Sequence, residues 1–153
     1  AGGAFVGEHS FSRTLGAGRP SGADMAEMDV FADHVAAKLI VRDTAPVTVG
    51  GCDPIRPYYT PRDRHGDSIN ILKVKPKTDV TKCGGCGLCA ARCPMGSIDP
   101  ADVSRVNGVC IKCGACVKGC PSGAKYFDDP GYLYHKSELE ELYARPAKNE
   151  VFL

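Results

Sequence analysis

The chain has 153 residues, 43% of them hydrophobic, with 18 glycines, 11 prolines, no tryptophan and a formal charge of +1. That length admits one ordinary domain, or a small domain with a substantial extension, and the composition predicts long loops around a modest core. Near-neutral charge gives no reason to expect a nucleic-acid partner, and no stretch reaches the roughly 18 consecutive apolar residues of a membrane span.

The chain opens AGGAFVGEHS, with no basic start, no apolar run of signal-peptide length and no Met. It is expected to be a piece of, or a product of, a longer protein. Residues 4 to 6 (AFV) read as a short strand, and residues 7 to 23, rich in Gly, Ser and Pro, as loop. Residues 24 to 41 hold the strongest helical pattern. Met25, Met28, Ala32, Val35 and Leu39 recur at steps of three and four, and Phe31 and Ala36 widen the stripe. Asp24 is the expected N-cap, with Glu27 three positions on. This stripe is expected to pack, and left uncovered it would favour self-association through the 24–41 helix.

Residues 46 to 70 carry Pro46, Pro54, Pro57, Pro61 and the adjacent Tyr58 and Tyr59, and read as an extended linker. Residues 69 to 74 (INILKV) form an expected strand at the start of a domain spanning 71 to 130. A helical tail is expected over 131 to 153, its helix at 137 to 145 capped by Ser137 with Glu140 as partner and stopped by Pro146.

The nine cysteines carry the chemistry. An odd count without a secretion signal argues against a disulfide scaffold. Cys83, Cys86, Cys89 and Cys93 form one cluster, Cys110, Cys113, Cys116 and Cys120 a second, and Pro94 and Pro121 follow the last cysteine of each. One constant shift lays every cysteine of the first cluster on one of the second. The same shift maps Pro94 to Pro121, Gly87 to Gly114 and Gly96 to Gly123. A fixed-period repeat of this kind is two copies of one supersecondary unit, each expected to hold a metal centre. Gly84, Gly85, Gly87 and Gly114 allow the tight loops. Zinc is the main competitor of an iron–sulfur cluster, but structural zinc sites pair two C-x2-C units across a longer spacer.

The nearby apolar residues are few: Ile71, Val74, Val80, Leu88, Ile98, Val103, Val106, Val109, Val117, Tyr126 and Phe127. A core that small is marginal alone, so the metal centres are expected to hold the fold.

Residues 79 to 125 resemble the two-cluster bacterial ferredoxins, whose motif C-x2-C-x2-C-x3-C-P occurs twice here without a mismatch. The resemblance implies an α+β domain with pseudo-twofold symmetry and low-potential, one-electron transfer through two 4Fe-4S clusters. It also implies that each fourth cysteine serves the other cluster. One set would be Cys83, Cys86, Cys89 and Cys120, the other Cys110, Cys113, Cys116 and Cys93. Each oxidised site would carry about −2, making the holo-protein an anion suited to a basic docking surface on a redox partner protein. Residues 1 to 45, with AFVGEHSF, a loop ending in AGRP and an acidic amphipathic helix, resemble the closing strand, loop and helix of a flavodoxin-like domain. The order of segments is similar to flavodoxin–ferredoxin fusion proteins. The Thr-, Ser- and Gly-rich phosphate loop of a flavodoxin is missing, so no FMN is expected in this chain alone.

The remaining candidates have plainer readings. Cys52 is an incidental thiol, and His9, His34, His65 and His135 show no metal spacing. Tyr58, Tyr59 and Tyr126 are packing residues. Lys82, Lys112, Lys118 and Lys125 are solvated surface lysines, and ELEEL is the wet face of a helix. The leading function is electron transfer, with a cytoplasmic setting expected from cysteine usage. The alternatives are the relay portion of a larger flavin-containing reductase and a cluster-stabilised interaction or sensory module.

Overall fold

In chain order the elements are β1 (Gly2–Ala4), α1 (Gly22–Ile40), β2 (Lys77–Thr78), α2 (Leu88–Ala91), α3 (Ala115–Lys118), β3 (Lys125–Tyr126), α4 (Pro130–Leu142) and β4 (Glu150–Phe152). The structure is a computed structural model and describes residues 1–153. The chain divides into two units. The first comprises residues 1–9, 14–59 and 143–153, and the second residues 10–13 and 60–142. No helix is long and apolar enough to cross a membrane.

In the first unit, β1 pairs antiparallel with β4, Gly2 opposite Phe152 and Ala4 opposite Glu150. The strand therefore falls at 2–4 and not at the expected 4–6. Phe5 leaves the ladder to meet Phe31 of α1 edge-on, with ring centroids 5.7 Å apart. The helix begins two residues before its expected start. Ser21 is the N-cap and Asp24 the inner partner of a reciprocal capping box, so Asp24 caps nothing by itself. The Asp24 carboxylate also binds the Arg19 guanidinium and accepts from Asn149 Nδ2 at 2.8 Å. Those bonds hold the carboxyl well below the usual carboxylate range, the Arg19 bond foremost and the Ser21 N–H next. This polar knot sets the rotation of α1. Asp24, Met28, Phe31 and Val35 turn inward, while Met25 and Leu39 of the expected stripe are exposed. Residues 46–59 contain no helix or strand, and Tyr58 and Tyr59 are exposed instead of packed.

In the second unit, β2 pairs antiparallel with β3, and an isolated bridge joins Ile98 to Val106. The expected strand at 69–74 does not form. The Asn70 side chain accepts from the Leu72 N–H at 3.1 Å, and the Val74 N–H bonds the Ile71 carbonyl, so the segment turns. Helix α4 starts earlier than expected because Asp129 accepts from the Tyr132 N–H at 2.9 Å and Pro130 supplies the first helical residue. Ser137 is consequently inside the helix. Glu140 is tied to Ser12 Oγ at 2.6 Å and Lys136 Nζ at 2.8 Å, and is not part of a wet face. Beyond α4 the chain does not continue as a helical tail; its last element is β4.

The segment Ser10–Arg13, expected as loop, is built into this unit. Ser12 is fully buried, Phe11 packs on Tyr132 with centroids 4.7 Å apart, and Arg13 Nη2 donates to the carbonyls of Val117 and Lys118. Tyr132 stacks on Phe127 at 4.2 Å. The buried hydrophobic core consists of Ile98, Ala124 and Tyr132. Val80 and Val109, expected in the core, are 71% and 68% exposed. So thin a core leaves a domain of this size marginal without another source of stability.

Candidate metal centres

The two cysteine loops repeat in backbone as well as in sequence. Gly87 and Gly114 sit in the left-handed region, φ 70° and 73°, and each precedes a single helical turn, α2 or α3. The Gly87 carbonyl accepts from Ala90 and Ala91, and the Gly114 carbonyl from Val117 and Lys118. These turns carry Cys89 and Cys116. A side chain at Gly114 would overlap the Ser10 carbonyl oxygen, so the glycine also lets the Ser10–Arg13 segment lie against the loop.

After the fourth cysteine of each cluster, proline is followed by a tight turn closed by glycine in left-handed backbone, Gly96 (φ 56°) and Gly123 (φ 65°). The turn aims the next N–H back at sulfur. Ser97 N–H donates to Cys93 Sγ at 3.4 Å and Ala124 N–H to Cys120 Sγ at 3.2 Å. The Ser122 hydroxyl lies 3.6 Å from Cys120 Sγ. Sequence analysis placed the prolines without drawing a consequence from them; that the turn delivers hydrogen bonds to sulfur was not foreseen, although Gly96 and Gly123 were the available signal.

Two cavities lie beside these loops. The larger, about 380 Å³, is lined by Cys110, Cys113 and Cys116 from one loop and by Cys93 from the other half. The smaller, about 330 Å³, is lined by Cys83, Cys86 and Cys89, with Cys120 from the other half. Neither lining contains a His, Asp or Glu, so each donor set is four thiols. Soft thiolate donors suit iron–sulfur clusters and zinc alike. No group of three or more His, Cys, Asp or Glu side chains is gathered closely enough to hold a single ion. The all-thiol donor chemistry fits 4Fe-4S binding. Cys52 is exposed, lies in the other unit and lines neither cavity.

The thiols differ in electrostatics. Burial pushes the Cys116 thiol up to about 11, against the pull of Lys125 and with the push of Cys110 and Cys113. Burial acts in the same direction on Cys120, but the Ser122 hydroxyl and the N–H groups of Lys125, Ala124 and Ser122 outweigh it and bring the thiol down to about 7. Cys93 is likewise lowered despite burial, by the N–H groups of Ser97, Met95, Ile98 and Gly96. Backbone dipoles favour the thiolate form, the form that binds metal.

Two of the four lysines expected at the surface are not there. Lys112 and Lys125 are 8% and 3% exposed, and each lines one cavity. Nothing in the sequence spacing marked them.

A family model described as the 4Fe-4S dicluster domain matches residues 82–125, under a third of the chain. The match supports 4Fe-4S binding and iron–sulfur electron transfer by a ferredoxin-type domain over those residues. No curated protein and no solved structure matches the chain.

Proposed function

We propose that this chain is a one-electron carrier that binds two 4Fe-4S clusters, each gripped by three cysteines of one half and a fourth from the other. Cys83, Cys86, Cys89 and Cys120 hold one, and Cys110, Cys113, Cys116 and Cys93 the other. The observation that carries this reading is the lining of the two cavities, four thiols each, shared crosswise between the halves. The matching backbone at Gly87 and Gly114 and at Gly96 and Gly123 supports a pseudo-twofold relation between the halves.

The clusters, when bound, supply reversible one-electron chemistry. The chain supplies the rest. The loops fix thiolate positions, and the Ser97 and Ala124 N–H groups stabilise negative charge on Cys93 and Cys120. Cys86 and Cys113 are exposed, so each site has an edge open to a redox partner protein. No substrate bond is made or broken, and no side chain acts as acid, base or nucleophile.

The test is metal and acid-labile sulfide analysis of anaerobically purified protein, with EPR after dithionite reduction. About eight irons and eight sulfides per chain are expected, with a complex spectrum from two spin-coupled reduced centres. Zinc in place of iron, or half the iron with a simple spectrum, would end this reading.

A further inference from the structure

Lys112 and Lys125 are buried, and each bonds only main-chain carbonyls. Lys112 Nζ donates to Leu72 O at 2.7 Å and Cys110 O at 3.0 Å, and Lys125 Nζ donates to Val103 O. Neither is ion-paired with a carboxylate. A buried ammonium is costly unless an anion or several acceptors compensate it, and carbonyls are only a partial answer. The anionic groups available are the thiolates. Lys112 lines the cavity of Cys93, Cys110, Cys113 and Cys116, and Lys125 that of Cys83, Cys86, Cys89 and Cys120.

Neither lysine belongs to the repeat. Lys112 stands where the other half has Gly85, and Lys125 where it has Ile98. Lys112 even takes the left-handed backbone of that glycine, φ 57° against 70°, a conformation that is costly for a residue with a side chain. A strained, buried, unpaired cation at one cysteine loop, and a second in place of a core isoleucine, are hard to explain by packing.

We propose that Lys112 and Lys125 are buried counter-cations that raise the reduction potentials of the cysteine-bound clusters, each acting on the site whose cavity it lines. The inference rests on the two-cluster reading above. Adding one electron takes a site from about −2 to about −3. A fixed positive charge at low local dielectric favours the more negative state and so favours reduction. A lysine that merely staples carbonyls would leave the potentials unmoved when replaced by a neutral residue that folds.

The test is an EPR-monitored dithionite titration of the full iron-loaded chain. Lys112→Gly and Lys125→Ile install what the opposite half already carries at the same place. Lys112→Gly is expected to lower one midpoint by about tenfold in the reduction equilibrium, about 59 mV for a one-electron couple, and to leave the other in place. Lys125→Ile is expected to lower the other midpoint by a similar factor and to leave the first in place. Lys112→Arg and Lys125→Arg should keep the parent midpoints. Unchanged midpoints in iron-replete Lys112→Gly and Lys125→Ile overturn the proposal. Where a neutral variant cannot hold iron, its arginine counterpart decides. Iron retained with arginine supports the charge role, and iron lost with both refutes it. A parent chain without iron defeats the two-cluster reading itself, a result distinct from unmoved midpoints.

Discussion

Gly87 and Gly114 hold one place in the two halves and nearly one backbone conformation, φ 70° and 73°. Their surroundings differ. A methyl added at Gly87 meets nothing within 4 Å, whereas at Gly114 it overlaps the backbone carbonyl of Ser10. Alanine at 87 therefore costs only the left-handed backbone, about 1–2 kcal/mol. Alanine at 114 costs the same and also dislodges Ser10–Arg13. That motion gives up the two Arg13 bonds to Val117 and Lys118, exposed and worth at most about 1 kcal/mol each, and the Ser12–Glu140 bond, worth about as much. It also uncovers part of Phe11, worth roughly 1–2 kcal/mol against Tyr132. Partial displacement thus adds about 2–4 kcal/mol. Cluster loss is irreversible, so the assay is a lifetime: the rate at which the visible chromophore bleaches under an iron chelator, in anaerobic buffer. If half the added cost appears in the opening rate, Gly114→Ala should bleach about tenfold faster than Gly87→Ala. Equal lifetimes would show that the Ser10–Arg13 segment contributes nothing to holding the loop.

Crosswise ligation makes a counting prediction. On the proposed assignment, Cys83→Ser with Cys120→Ser should leave about four irons per chain, because both would serve one cluster, while Cys83→Ser with Cys93→Ser should leave almost none; the reverse ranking refutes the assignment. Complete removal of iron should unfold the region from 71 to 130, read as loss of its far-ultraviolet circular dichroism. A native-like spectrum after chelation would contradict the dependence. Cys52→Ser should leave the iron content of the chain unchanged, and a drop would give that thiol a ligand's role. In the first unit, the depressed Asp24 carboxyl contributes fully above the ordinary carboxylate range, near pH 4, and progressively less as pH falls below it. Amide exchange in the first turn of α1 should be insensitive to Asp24 ionisation at neutral pH and accelerate only below about pH 4, and Asp24→Asn should remove that step.

The parts that could be read from sequence are those fixed by short range. Cysteine spacing, the paired prolines and the helical period at 24–41 depend on residues within a few positions of one another. The structure then gathers the eight clustered cysteines into two cavities of four. The misreadings have two causes, a competing turn or cap close by and a partner far along the chain. The strand predicted at 69–74 yields to the Asn70 turn, and the cap predicted at Ser137 yields to Asp129 with Pro130. The stripe on α1 rotates because Asp24 is claimed by Arg19 and Asn149, the latter far along the chain. Lys112 and Lys125 were invisible because their partners also lie far along the chain. A lysine beside a cysteine motif is ordinarily solvated, and only the placement of Leu72 and Val103 shows these two to be enclosed.

Crosswise ligation also bears on why so thin a core suffices. If each loop held its metal with four cysteines of its own, the halves would be joined only by the short β2–β3 pairing and contacts such as Arg92 Nη1 to the Gly119 carbonyl at 3.3 Å. Those are exposed bonds of modest worth. On the crosswise reading, Cys83 and Cys120 share one cluster and Cys93 and Cys110 the other, so both metal centres close loops that span the two halves. Closing a loop through the folded state is rewarded by bonds far stronger than any contact among Ile98, Ala124 and Tyr132. Loss of one cluster then leaves the halves joined by a single metal link, and the second cluster is held less firmly. Loss of the first iron should accordingly hasten loss of the second, and bleaching under chelator should follow a single phase in the parent chain.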